Sequence, residues 1–189
     1  MSPHTATLRV YTFKAGVLGK LGHDLRLSLR DFEVRLRGTS VEARFATASF
    51  VVDGVAHGRK VDPEGLSSKD KSTIEGTIRE LLESAKTAEA RYHGEVVLAE
   101  GGRPRSVAGR LTLRGVEQAI DVQLEAHTDH IVASAAFAPT RFGIAPYKAL
   151  AGAIRLQDRV EIELRLNVPE GSVRELLAEG SDTVFAPQR

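Results

Sequence analysis

Apolar and polar residues alternate along much of the chain, most regularly in segment 24–30, where every second residue is leucine. A period of two is typical of a β-strand with one buried and one solvated face. The same alternation recurs at 41–45, 107–113, 120–126 and 160–168, and less cleanly near 5–13, 90–99 and 130–138. We therefore predict eight or nine antiparallel strands, since strands of parallel sheets read as continuous apolar runs.

The alternation changes parity at Arg30-Asp31, after which Phe32, Val34 and Leu36 continue the apolar set. A slip of one residue turns every side chain to the other face of a strand. A bulge or bend at this point must absorb the slip, and such features curl a sheet. The pattern favours a sandwich or a barrel.

One segment has helical spacing instead. Its apolar positions recur at i, i+4, i+7 and i+8, as expected for an amphipathic helix: Ile74, Ile78, Leu81 and Leu82. Ser72 and Glu75 fit a capping box at its start. We predict a helix at about 70–85.

The segments beside these elements are less regular. Residues 53–69 contain three glycines and one proline and are predicted to form a linker. Val173, Leu176 and Leu177 indicate a short C-terminal helix. The predicted division is a β-barrel domain at 1–168 and a C-terminal helical tail at 169–189.

Composition excludes several classes of function. With 26 basic and 25 acidic residues, no Trp and 5% aromatics, the chain lacks the charge and the stacking surface of a nucleic-acid-binding protein. The absence of Cys excludes disulfides and thiol nucleophiles. No secretory signal and no run of 18 apolar residues is visible. We predict a cytoplasmic protein without a membrane span.

Candidate catalytic chemistry is sparse. The chain has no nucleophile elbow, Walker loop or dinucleotide-binding glycine motif, so we predict no catalytic residue and no cofactor. Segment 127–130 (His-Thr-Asp-His) has metal-ligating residue types but the composition of a hairpin turn, and we predict no metal site. The alternative is an enzyme that uses His23, His57 or Tyr147 as acid or base.

The inward positions are mainly Leu, Val, Ile and Ala, and large side chains that would fill an interior are scarce. An eight-stranded barrel is near the size at which side chains either fill the interior or leave room for one ligand. The composition therefore favours a hollow barrel, and a packed sandwich is the alternative.

Four stretches, in order, resemble a known family. They are 22–27 followed by Asp31-Phe32, 66–70 leading into the helix, 109–116 (Gly-Arg-Leu-Thr-Leu-Arg-Gly-Val), and 140–144 before the strand 160–164. Together they resemble the YceI-like family, lipocalin-like barrels known for binding polyisoprenoids and other lipids. The chain departs from the family pattern at 87–92, where the family often has Tyr-Pro.

The resemblance implies a mainly β protein: an antiparallel eight-stranded lipocalin-like barrel with the helix lying over it. It implies a carrier or sequestering protein for a long apolar ligand of isoprenoid or fatty-acyl type, and no enzyme. A sheet-mediated interaction module or homodimer is the alternative. The residues expected to contact the ligand are Phe13, Val17, Leu21, His23, Leu25, Leu27, Phe32, Phe50, Ile74, Ile78, Leu82, Leu111, Phe142, Ile144 and Tyr147.

Overall fold

The computed structural model of the chain describes residues 4–15, 23–149, 154–168, 173–178 and 180–188. Its strands are β1 His4–Lys14, β2 Leu25–Leu29, β3 Phe32–Arg37, β4 Ser40–Ala46, β5 Phe50–His57, β6 Lys60–Asp62, β7 Glu89–Leu98, β8 Pro104–Leu113, β9 Val116–Ala119, β10 Val122–Ala126, β11 His130–Phe137, β12 Lys148–Ala149, β13 Ile154–Asn167 and β14 Asp182–Pro187. The helices are α1 Ser68–Leu81 and α2 Val173–Leu176, and 3₁₀ turns cover Thr47–Ser49 and Pro139–Phe142. None of these helices is long and apolar enough to cross a membrane.

Nine strands of the described chain close into a ring, in the order β1-β13-β11-β10-β8-β7-β4-β3-β14 and back to β1. Outside the ring, β2 pairs with β1, β5 with β2 and β6 with β5. β9 pairs with β8, and β12 pairs with β13. The mainly β barrel is therefore confirmed, but the eight-stranded barrel that the resemblance implied is wrong by one strand. Closure around an interior also decides against the packed sandwich.

The additional strand is β14, which lies between β1 and β3. It pairs parallel with β1 at His4–Ala6 and antiparallel with β3 at Val34–Arg37. Its Phe185 is fully buried. The segment predicted as the end of a helical tail is thus a strand of the barrel, and the C-terminal helix before it is only the four-residue α2. A strand with a single fully buried side chain carries almost no alternation for sequence analysis to detect.

The predicted bend separates β2 from β3 at Arg30-Asp31. Leu25, Leu27 and Leu29 are buried before it, and Phe32 and Val34 after it. β2 pairs with β1 and β5, whereas β3 pairs with β4 and β14. The bend therefore sends the two halves of one long segment to different partners, and β14 occupies the gap between β1 and β3.

The predicted linker is wrong over its first half, where β5 and β6 form a hairpin. The turn of this hairpin carries Arg59, whose guanidinium lies 4.5 Å from the ring centroid of Tyr11 on β1. Arg59 also pairs with Glu161 and Glu163 of β13. The hairpin is thus held to the outer face of the barrel by a cation–π contact and two ion pairs.

Helix α1 is confirmed, with ends that differ from the prediction. Its N-cap is Ser67, whose hydroxyl oxygen accepts from the backbone N–H of Asp70. Glu75 does not close a capping box with Ser72. Instead its carboxylate accepts from the backbone N–H of Val52 on β5 at 2.9 Å, so it ties the helix to the barrel wall.

Candidate ligand-binding cavity

The barrel encloses a cavity of about 600 Å³, here the outer cavity, beneath helix α1. Protein interiors contain few voids larger than a water molecule, whereas ligand sites commonly measure about 300–1,000 Å³. Its walls are mainly aliphatic side chains of β1, β2, β13 and α1: Leu8, Val10, Leu25, Leu27, Leu29, Leu156, Val160, Ile162, Ile74, Ile78 and Leu81. A cavity of this size and lining is suited to an apolar molecule.

A second, smaller cavity of about 130 Å³, here the inner cavity, lies deeper in the barrel. Its lining is apolar apart from the edge of Tyr92, and one end is formed by Leu176, Leu177 and Phe185 of the C-terminal segment. Five residues line both cavities: Leu8, Phe45, Leu111, Phe137 and Ile162.

Most polar side chains around the outer cavity already have partners within the protein. Thr73 and Thr77 donate to carbonyl oxygens one turn earlier in α1, at 2.9 and 3.1 Å. Thr47 donates to the carbonyl of Thr87 at 3.0 Å, and Gln157 donates to that of Lys14 at 3.0 Å. A ligand therefore needs to form few hydrogen bonds with the walls of the outer cavity.

Thr12 of β1 differs from these residues. Its hydroxyl oxygen is buried without a hydrogen-bond partner among the described residues, and Thr12 lines the outer cavity. At the opening, His23 is exposed and Tyr147 is half-buried. The polar groups available to a ligand are thus few, which is the usual composition of a site for an apolar molecule.

The C-terminal end of α1 is fixed by Arg114, in the turn between β8 and β9. Arg114 donates to the carboxylate of Glu83 at 2.8 Å and to the carbonyl of Gly143 at 2.6 Å. This guanidinium holds the pKa of Glu83 below its usual range. The bridge joins the helix that covers the outer cavity to two loops at the barrel end.

The wall of the inner cavity contains a buried tyrosine. The hydroxyl of Tyr92 donates to the carbonyl of Ile120 at 3.0 Å, and burial raises its pKa to about 12. A Cβ at Gly109 would overlap this hydroxyl and would lie 2.6 Å from the backbone carbonyl oxygen of His93, so glycine is required there. Gly109 also faces Gly94 on β7.

Ten of the residues predicted to contact ligand line the outer cavity: His23, Leu25, Leu27, Phe50, Ile74, Ile78, Leu82, Leu111, Ile144 and Tyr147. Val17 and Leu21 lie outside the described residues. Three described residues do not line it. Phe13 has the outward parity of Tyr11, at the register shift of β1, while Phe32 and Phe142 pack behind cavity residues.

Sequence analysis missed Leu8, Val10, Phe45 and Phe137 as lining residues. Leu8 and Val10 share one parity in β1, and Phe45 continues the alternation of Val41 and Ala43 in β4. The inward parity of these strands was the signal that could have identified them.

The His-Thr-Asp-His segment is a hairpin turn between β10 and β11, as predicted. The rings of His127 and His130 stack with centroids 4.3 Å apart, and His130 pairs with Asp129 at 2.6 Å. In the described part of the chain, no group of three or more His, Asp or Glu residues is arranged to hold a metal ion. His57, a residue of the enzyme alternative, does not line the outer cavity, whereas His23 and Tyr147 do.

Two solved structures are similar in fold to this barrel. The crystal structure of BcnA from Burkholderia cenocepacia matches with a TM-score of 0.55 and 12% identity, over 86% of this chain and 96% of that one. A polyisoprenoid-binding domain from Saccharophagus degradans, implicated in plant cell wall breakdown, matches with a TM-score of 0.54 and 14% identity, over 87% and 94%. At these identities the matches show a shared fold.

Comparison with curated protein sequences finds no significant match. The family model described as the YceI-like domain matches residues 13–168, which is most of the chain; β14 and most of β1 lie outside the match. This chain therefore belongs to the YceI-like domain family.

Proposed function

We propose that this protein binds one long apolar molecule, a polyisoprenoid or other lipid-like chain, inside the barrel and acts as its carrier or sequestering protein. The observation that carries the proposal is the outer cavity of about 600 Å³, whose polar neighbours are mostly bonded within the protein. Family membership supports it. So does the shared fold with a domain described as polyisoprenoid-binding.

The size of the cavity bounds the ligand. At about 30 Å³ for each non-hydrogen atom, the share of a water molecule in the liquid, the outer cavity accommodates roughly 20 such atoms. Burying 20 methylenes would contribute roughly 16 kcal/mol before ordering costs. Ligands of this size typically retain about 0.3 kcal/mol per atom. The expected affinity is then in the range of tens of micromolar or tighter.

The lining supports binding without chemical conversion. Asp158 accepts from the backbone N–H of Thr140 at 3.0 Å, and Asp70 accepts from the hydroxyl of Ser67 at 2.6 Å. Carboxylates engaged in this way shape the opening rather than act as a general base on a bound chain. The cytoplasmic location and the homodimer stay predictions.

Binding of a polarity-sensitive apolar dye tests the proposal. Thr77→Trp places a large side chain in the outer cavity from helix α1 and should reduce dye affinity at least tenfold. Glu80→Trp, exposed on the same helix, is the matched control and should bind as the native protein does. Equal binding by both variants and the native protein would mean that the dye binds elsewhere, which would contradict the proposal.

A further inference from the structure

One layer of side chains across the barrel lines both cavities. This dividing layer consists of the five residues that line both cavities: Leu8, Phe45, Leu111, Phe137 and Ile162. They come from five strands of the ring, namely β1, β4, β8, β11 and β13. Inward side chains of small barrels commonly stack in such layers.

The two aromatic members are held from behind by other aromatic rings. Phe45 lies 6.4 Å from Phe32, and Phe137 meets Phe142 edge to face at 5.2 Å between ring centroids. Phe32 and Phe142 are 2% and 1% exposed. Rings supported by such tightly packed neighbours do not rotate aside at little cost. This explains why Phe32 and Phe142, expected to contact ligand, lie behind the cavity wall.

Residues of the C-terminal segment line the inner cavity at its other end. Phe185 of β14 is fully buried there and Leu176 of α2 is 7% exposed. A chain that enters beneath α1 therefore meets the dividing layer before it meets the end of the barrel.

We propose that the dividing layer limits the length of the bound chain, so that the outer cavity accepts roughly 20 non-hydrogen atoms, at about 30 Å³ for each, and the inner cavity stays out of reach. The inference rests on the proposed function and adds a length specificity to it. Opening the layer would add the 130 Å³ of the inner cavity, room for roughly four more atoms.

Straight-chain primary alcohols provide the test, measured by displacement of a bound apolar dye. The series runs from chains well below to chains well above the expected limit. For the native protein, affinity should rise by up to about fourfold per methylene and then stop rising at the limit. In Phe45→Ala the limit should move to chains longer by at least about four carbons.

Phe50→Ala is the matched control, because Phe50 lines the outer cavity but not the inner one. It loses the same side chain, so both variants gain the space that one ring occupied, and only Phe45→Ala also opens the inner cavity. The limit in Phe45→Ala should therefore exceed that in Phe50→Ala by about four carbons. Ala133 lines only the inner cavity. Ala133→Leu should leave the native limit unchanged but should cancel the extension that Phe45→Ala produces.

Circular dichroism checks that each variant folds. If Phe45→Ala does not fold, Phe45→Leu and Phe137→Leu retain apolar side chains and should each extend the limit by a smaller amount. An unchanged limit in folded, dye-binding layer variants overturns the length inference and leaves the proposed function intact. A native protein that binds no alcohol of any length overturns the proposed function itself.

Discussion

Phe185 provides a test of whether the C-terminal segment is a wall of the barrel. Its side chain is fully buried on β14, its ring lies 5.5 Å from that of His4, and it lines the inner cavity. Phe185→Ala removes this ring from the end of the barrel while leaving the backbone pairs of β14 with β1 and β3 free to form.

The expected cost follows from burial and from the surroundings. Phe→Ala changes in protein cores destabilise by about 3–5 kcal/mol, and the loss is larger where the structure cannot collapse into the space. Here the space opens onto an existing cavity of about 130 Å³, so we expect the upper half of that range. The free energy of unfolding of a domain is about 5–15 kcal/mol in total, so the loss is a large fraction of its stability.

Equilibrium unfolding in urea, monitored by circular dichroism, measures this loss. At a constant slope of free energy against urea concentration, the shift of the urea midpoint gives the change in the free energy of unfolding. Val184→Ala is the control on the same strand. Val184 is half-buried and precedes Phe185, and its truncation should destabilise by about 1 kcal/mol or less. If Phe185→Ala costs no more than Val184→Ala, β14 is not part of the barrel core and the nine-strand ring is wrong.

Three further predictions test individual contacts. The pKa of Tyr92 is raised to about 12 in the folded protein, whereas a tyrosine in the unfolded chain has a pKa near 10. Between these two pH values Tyr92 keeps its proton in the folded state and loses it in the unfolded state. Its contribution to stability is therefore full below about pH 10 and falls from there to about pH 12, by at most about 1.4 kcal/mol per pH unit. Urea unfolding of Tyr92→Phe should show a shallower decline over this range, and an unchanged decline would contradict the assignment. Glu75→Ala leaves the backbone N–H of Val52 without its acceptor, which should reduce the free energy of unfolding by about 1–3 kcal/mol. Glu75→Gln keeps an acceptor oxygen and should recover much of this loss, whereas equal losses in the two variants would contradict the bond. Arg114→Ala should return the pKa of the Glu83 carboxyl toward its ordinary value in an NMR titration, and Arg110→Ala, at an exposed ion pair, should leave it low.

The parts of the fold that sequence analysis predicts correctly are those with a regular period. The parity slip at Arg30-Asp31 locates the bend between β2 and β3, because burial must continue across it. The spacing of Ile74 and Ile78 locates α1, because one face of the helix packs on the barrel. These patterns predict structure well because many side chains in one element share the same spacing.

The parts that sequence analysis misses depend on tertiary partners. β14 is a strand because its backbone pairs with β1 and β3. No local sequence pattern indicates that these partners are present. Ser67 rather than Ser72 caps α1, since the helix begins at Ser68 and the Ser67 hydroxyl accepts from the backbone N–H of Asp70. Local capping motifs identify candidates, and the fold selects among them.

The same distinction applies to the candidate site. Parity along the strands predicts that residues such as Leu25 and Leu27 face inward, and both line the outer cavity. Parity does not predict how deep a side chain lies along the barrel axis. Phe32 and Phe45 are both apolar and directly paired, yet only Phe45 reaches the cavity surface.

The most direct test of the proposed function is the identity of what the protein carries. Protein purified without detergent is extracted with organic solvent, and the extract is analysed by mass spectrometry beside that of the Thr77→Trp variant. We expect a long apolar compound at close to one molecule per chain from the native protein and much less from the variant. An extract with no apolar compound beyond that of the variant would contradict the account.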